Sequence, residues 1–171
     1  MPTPAFTIRP ATENDLEAIR AIYNYYVQHS TCTYQIELET AEERLAWFRD
    51  RNFKTHPATV AESEGEVVGW AALSPWKSRC GYALSAEASV YVHRDHHRRG
   101  IGKALLLDLI ERAKSAGLHT IIGGASSDQS ASLALQVALG FIPVGTFRET
   151  GRKFDRWLDV TYTQLLLNAE A

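Results

Sequence analysis

Hydrophobic positions change period several times along the chain, and each change marks an element. Residues 6–9 (FTIR) alternate as a short strand. Thr12 stands three residues before Asp15, a variant of the capping box. Leu16, Ile19, Ile22, Tyr23, Tyr26 and Val27 then fall on one helical face that ends near His29-Ser30. Residues 30–38 (STCTYQIEL) have no helical period and predict a loop or an irregular strand. Thr40 and Glu43 form a second capping pair. The helix behind it carries Leu45, Trp47 and Phe48 and ends before His56-Pro57, because the residue before proline avoids the α region. Residues 58–62 and 66–73 read as strands joined by a Ser63-Glu64-Gly65 turn, and residues 74–84 as a loop.

The middle of the chain, residues 87–113, changes character twice. Residues 87–92 (EASVYV) are rich in β-branched and aromatic side chains and predict a strand starting at Glu87. Residues 93–99 are almost all charge and imidazole. From Ile101 a helical stripe runs through Leu105, Leu106, Leu109, Ile110 and Ala113, and Gly117 suits its C-terminal cap. A strand over 119–123, a short helix over 130–139 behind Ser127-Asp128-Gln129, and strands over 141–147 and 155–167 complete the pattern. The order β-α-α-β-β-β-α-β-α-β-β implies one mixed α/β sheet with helices on both faces. No linker or repeat divides it, so residues 1–171 form one domain with its core in about 6–167.

Composition narrows the function classes. The chain is 45% hydrophobic and 22% charged, with a net charge of −2, so no global field recruits nucleic acid or a membrane surface. No apolar run approaches the roughly 18–20 residues that span a bilayer. The start, MPTPAFTIRPA, lacks a basic segment followed by an apolar one. Two cysteines, Cys32 and Cys80, make no disulfide framework and suit a reducing compartment. These features predict a cytoplasmic protein.

The basic loop carries the chemistry. A strand that runs through glycines into a helix N-terminus builds an anion site, with free N–H groups and the helix dipole aimed at one point. Arg98, Arg99, Gly100, Ile101, Gly102 and Lys103 suit a pyrophosphate. A dinucleotide fingerprint is excluded because Leu105 stands at the third glycine place. A P-loop is excluded because Gly100 is one residue from Gly102 and Ala104 follows Lys103. His93, His96 and His97 sit among Arg94, Arg98 and Arg99, whose charges oppose a dication, so no metal is expected. Glu87 begins an otherwise apolar strand, where desolvation would raise its pKa toward that of a useful base.

The stretch SVYVHRDHHRRGIGKALL resembles the coenzyme A-binding motif of the GNAT superfamily of N-acetyltransferases. IYNYYV, RLAWF, EASVYV, SASLALQVALGF and GRKFDRWLD resemble the branch that holds the phosphinothricin and methionine sulfoximine acetyltransferases. The resemblance spans about residues 6–167 and implies a single-domain GNAT-like fold with a mixed, mostly antiparallel sheet.

It also implies site roles. Val90, Tyr91 and Val92 would pair with the pantetheine arm of acetyl-CoA as an added strand does. His97 occupies the first place of the pyrophosphate loop, where the family prefers Gln or Arg. Gln129 replaces a cofactor-touching asparagine, and Gln136 replaces a tyrosine or histidine beside the departing thiolate. Glu87 matches the family's general base. A free α-amine, with a pKa of about 7.7–8.0, asks less of that base than a lysine amine near 10.4. Lys77, Arg79 and Tyr82, on the loop before Glu87, would bind an acidic amino-acid-like acceptor through its carboxylate, a task that suits Arg best, and Tyr34 and the GRKFDRW segment resemble parts of the family's acceptor wall or dimer contact. Asp155 replaces a glycine in the last turn. Relatives of this kind are dimers, so a homodimer is expected. Two alternatives stay open, namely a different acceptor (a protein N-terminus or a polyamine) and a module that binds coenzyme A without transfer.

Overall fold

The computed structural model describes residues 6–167. Seven strands form one sheet, β1 (Thr7–Pro10), β2 (Ala58–Ser63), β3 (Glu66–Pro75), β4 (Ser85–Val92), β5 (Thr120–Ser126), β6 (Ile142–Lys153) and β7 (Arg156–Leu166). Their order is β1-β2-β3-β4-β5-β7-β6, and every neighbouring pair is antiparallel except β4–β5. The helices are α1 (Leu16–His29), α2 (Ala41–Arg49), α3 (Ile101–Ser115) and α4 (Ser130–Ala138). The expected class and element order hold.

Alternation along the strands fills a core on each face. Ala61, Ala71, Leu73 and Ala86 point to the side covered by the α3 stripe of Leu105, Leu106, Leu109 and Ile110. Val60, Trp70 and Ala72 point to the other side, where Leu16, Ile19 and Ile22 of α1 close a second cluster. Glu87 and Tyr91, at odd positions of β4, share this second face with Trp70; the Tyr91 ring stacks on Trp70 at 4.8 Å.

Both capping pairs form. Thr40 accepts from the Glu43 N–H at 3.2 Å, while the Glu43 carboxylate accepts from the Thr40 N–H at 2.7 Å. Asp15 accepts from the Thr12 N–H at 2.7 Å and from both Arg9 Nη atoms at 2.8 Å, and the Arg9 pairing holds its carboxyl below the usual carboxylate range. Its box starts a 3-10 turn, Glu13–Asp15, that leads into α1.

Several boundaries differ from those expected. β4 begins at Ser85, so Glu87 lies inside the strand and not at its start. β5 runs on to Ser126. β6 runs past Phe147 to Lys153 because β7 pairs with it again, from Gly151↔Leu158, after a register shift. Glu149 in that shift has φ +50°, the left-handed geometry of a bulge. Asp155 is not in the last strand. With Phe154 it forms the two-residue turn between Lys153↔Arg156, at φ +51° and +55°. Tight hairpins need positive φ at both central residues, and glycine adopts it at least cost.

Asp155→Gly is therefore expected to stabilise the protein by roughly 0.5–1 kcal/mol, the left-handed strain relieved less the extra freedom of an unfolded glycine. A thermal melt checks this; an unchanged or lower Tm contradicts it.

Candidate active site

The site is set by a parting of strands. β4 and β5 pair over Ser85↔Thr120, Ala86↔Ile121 and Glu87↔Ile122, and no further. Beyond Glu87, β4 stays with β3 and β5 stays with β7. The sheet thus opens as a wedge with Glu87 at its apex. A cavity of about 480 Å³ fills the wedge, lined by residues 87–91 of β4, residues 123–126 of β5, and Gln129, Ser132, Leu135 and Gln136 at the α4 end. An open strand edge of this kind leaves backbone donors and acceptors that an extended, amide-bearing ligand can pair with.

Burial raises the Glu87 carboxyl above its ordinary pKa, and the charge of Lys77 pulls weakly the other way. Two glycines make room beside it. A Cβ on Gly124 would come within 3.0 Å of the Tyr162 ring and 3.5 Å of Glu87 Oε1. A Cβ on Gly123 would strike Thr163 Oγ1 at 2.7 Å and Gln136 Cδ at 2.8 Å. Gln136 is buried and pinned, with Oε1 accepting from Thr163 Oγ1 at 2.5 Å and Nε2 donating to Ser132 Oγ at 3.4 Å. An amide held on both ends thus stands at position 136.

The basic loop lies at the far end of β4. Arg98 has φ +60° and Gly100 φ +80°, and Gly100 caps α3 without a side-chain partner. The first α3 bond is Ala104 N–H to the Gly100 carbonyl, so the N–H groups of Ile101, Gly102 and Lys103 make no bond within the helix. His97 is turned away from this nest. Its ring stacks on Tyr26, with Nε2 2.6 Å from Tyr26 Oη and 3.2 Å from the Val92 carbonyl. Tyr26 Oη also donates to that carbonyl.

Of the residues singled out from the sequence, Glu87, Val90, Tyr91, Gln129 and Tyr34 meet at the cavity. Val92 does not line it, and its carbonyl is already engaged. Residues 98–103 stand outside its lining. Arg79 and Tyr82 are also outside, exposed on the loop before β4 that contains a 3-10 turn, Cys80–Tyr82. Lys77, on the same loop, lines a second cavity of about 580 Å³ with Trp76, Phe147 and Tyr162. Tyr162 lines both cavities. Sequence reading passed over Tyr162 because in a strand it looks like any half-buried aromatic. Among the described residues no group of three or more His, Cys, Asp or Glu side chains could hold a metal ion.

Residues 19–141 match the profile of the acetyltransferase (GNAT) family. The chain belongs to that family. As a GNAT N-acetyltransferase it is an acyltransferase. It is 38% identical to the L-methionine sulfoximine/L-methionine sulfone acetyltransferase of Salmonella typhimurium, over 96% of this chain and 96% of that one. It is 38% identical to the phosphinothricin N-acetyltransferase of Streptomyces coelicolor, over 91% and 92%. The structure of the Salmonella typhimurium acetyltransferase yncA with its cofactor acetyl-CoA superposes with a TM-score of 0.93 at 38% identity, covering 98% of this chain and 96% of that one.

A raised carboxyl pKa means the folded state binds the proton more tightly than the unfolded chain. Stability therefore falls as pH rises from about 4.3 through the higher folded value. Glu87→Gln removes that penalty, so the variant is expected to melt above the wild type at pH 8, with the gap closing toward pH 4. Thermal melts across that range check it.

Proposed function

We propose that this GNAT enzyme transfers the acetyl group of acetyl-CoA to the α-amine of a small amino-acid-like acceptor of the phosphinothricin and methionine sulfoximine/sulfone class, with Glu87 as general base. The observation that carries this reading is the parting of β4 and β5 at a half-buried carboxylate. The open edges at residues 88–91 and 123–126 fit an arm bearing amide groups, and the buried hydroxyl of Tyr34, on the cavity lining and without a hydrogen-bond partner among the described residues, could serve a ligand's polar group. Gly100, Ile101, Gly102 and Lys103 offer N–H groups to a pyrophosphate, with Arg98 and Arg99 adding charge.

Acetyl-CoA supplies an activated acetyl group. Glu87 accepts the proton of the acceptor amine as its nitrogen bonds to the acetyl carbon, and the thiolate departs. A thiolate, whose pKa is near 8.5 for a free thiol, leaves without a strong acid. The pinned amide of Gln136 is compatible with that, since it can donate a hydrogen bond but no proton. On the acceptor side Lys77 faces the cavity between Trp76, Phe147 and Tyr162, a setting for a carboxylate on a partly apolar substrate. Arg79 and Tyr82 follow Lys77 on the same loop but line neither cavity.

The working form is a cytoplasmic homodimer in this reading. β6 is an edge strand, and Ile142 (70% exposed), Val144 (65%) and Phe147 (63%) leave more apolar surface on it than a lone edge strand should. Both thiols, Cys32 and Cys80, are unpaired. Light scattering after gel filtration is expected to give twice the 19.1 kDa chain mass; a monomer at micromolar concentration argues against it.

Two measurements test the chemistry. Thiol release from acetyl-CoA is expected with methionine sulfone, methionine sulfoximine and phosphinothricin, and little with spermidine or a peptide N-terminus. Coenzyme A binding with no release across the panel would sink the reading. Glu87→Gln should lower kcat by about 10²-fold or more, as loss of a general base does, while the KM for acetyl-CoA changes little. The deficit should be largest near pH 6.5, where fewer acceptor amines are neutral. Because the Glu87 pKa is raised, the acid limb of the wild-type kcat/KM profile should lie above the ordinary carboxylate value of about 4.3.

A further inference from the structure

Residues 30–34 connect the end of α1 to the cavity and have no regular secondary structure. Cys32, Thr33 and Tyr34 line the cavity wall opposite β5. An irregular segment at a buried wall needs donors for its carbonyls. The side chain that supplies them comes from far along the chain. Lys153, at the end of β6, is 4% exposed. Its Nζ donates to the Ser30 and Thr33 carbonyls at 2.7 Å each and to the Tyr26 carbonyl at 3.4 Å. These three acceptors use all three protons of an ammonium. Two of them, Tyr26 and Ser30, lie at the C-terminal end of α1, where the helix dipole favours a cation.

A second contact joins the same two pieces. Gly151 is two residues before Lys153 and shares its face of β6. A Cβ there would lie 2.5 Å from Tyr34 Cδ1 and 2.9 Å from Tyr34 Cζ, so the Tyr34 ring rests directly on the Gly151 backbone. Lys153 and Gly151 thus clasp the segment against the hairpin from both its carbonyl and its ring side. The other tethers run to different elements. Thr31 Oγ1 donates to Asp128 at 2.7 Å and accepts from Gln129 Nε2 at 2.7 Å, and Tyr23 Oη shares a bond with Thr33 Oγ1 at 2.9 Å.

We propose that Lys153 is a positioning residue for acceptor recognition, its buried ammonium fixing residues 30–34 on the β6–β7 hairpin so that Tyr34 holds its place in the cavity wall. The inference rests on the acceptor reading above. Burial lowers the Lys153 pKa, which fits an ammonium with no carboxylate partner among the described residues.

Lys153→Met keeps the length of the side chain and removes the donors. With methionine sulfone as acceptor, kcat/KM for the acceptor is expected to fall roughly 10- to 100-fold, a loss typical of a misplaced binding group, while the KM for acetyl-CoA stays within about twofold. In a cycle with Tyr34→Ala the two losses should be less than additive, because Lys153 acts through Tyr34. Hydrogen exchange supplies a readout free of turnover: amides 31–35 should exchange faster in the variant while the interior of α1 does not. Equal loss toward both substrates, additive losses in the cycle, or unchanged exchange at 31–35 each overturns the proposal. If the wild type turns over no amine, the acceptor reading fails, and the exchange measurement alone decides the role of Lys153. If Lys153→Met does not fold, Gly151→Ala carries the test, since its methyl displaces the Tyr34 ring; an unchanged acceptor KM there overturns the proposal.

Discussion

The structure depends on one failure of hydrogen bonding. Parallel strands in a continuous sheet satisfy each other's backbone along their length. Here β4 and β5 stop doing so after Glu87 and Ile122, although each remains bonded to its outer neighbour. The open edges are costly unless something pairs with them, and that cost favours an occupant that can. Side chains settle where they do because of it. Gly123 and Gly124 keep the apex clear, Tyr162 lines the space behind it, and α4 covers the far end through the Gln136–Thr163 contact.

Burial of Glu87 is the electrostatic counterpart. A carboxylate at the apex of a closed sheet would be excluded by desolvation; in the wedge it is half-buried, with its pKa raised and Lys77 as a distant counter-charge. Fold and chemistry compete for the same residue. Apolar neighbours make it a better base and a worse structural element.

Legibility in the sequence followed the range of the interaction. Helices α1, α2 and α3 were readable because their patterns and caps are local, and Thr12, Thr40 and Gly117 announced their ends. The basic loop was readable because a glycine pair before a helix has few physical meanings. Glu87 was visible only as an acid in an apolar strand, aided by likeness to a family. The parting of the strands was not visible at all, since register between β4 and β5 is decided by contacts more than 30 residues apart. Lys153 was hidden for the same reason: among the polar residues of GRKFDRW nothing marks one lysine as buried against carbonyls 120 to 127 positions away. Arg79 looked better suited than Lys77 to hold a carboxylate, by its fork, but Lys77 is the one that borders a cavity, while Arg79 lines neither.

Gln136 and Gly123 share one volume. The glutamine amide occupies the space into which any side chain at position 123 would project. The two positions therefore cannot drift independently. A larger ring at 136 is admissible only while 123 stays bare, and a side chain at 123 only after 136 shrinks or swings out. The history open to this cleft is an ordered one, in which the residue at 136 can be exchanged many ways but the glycine across from it must be the last to change.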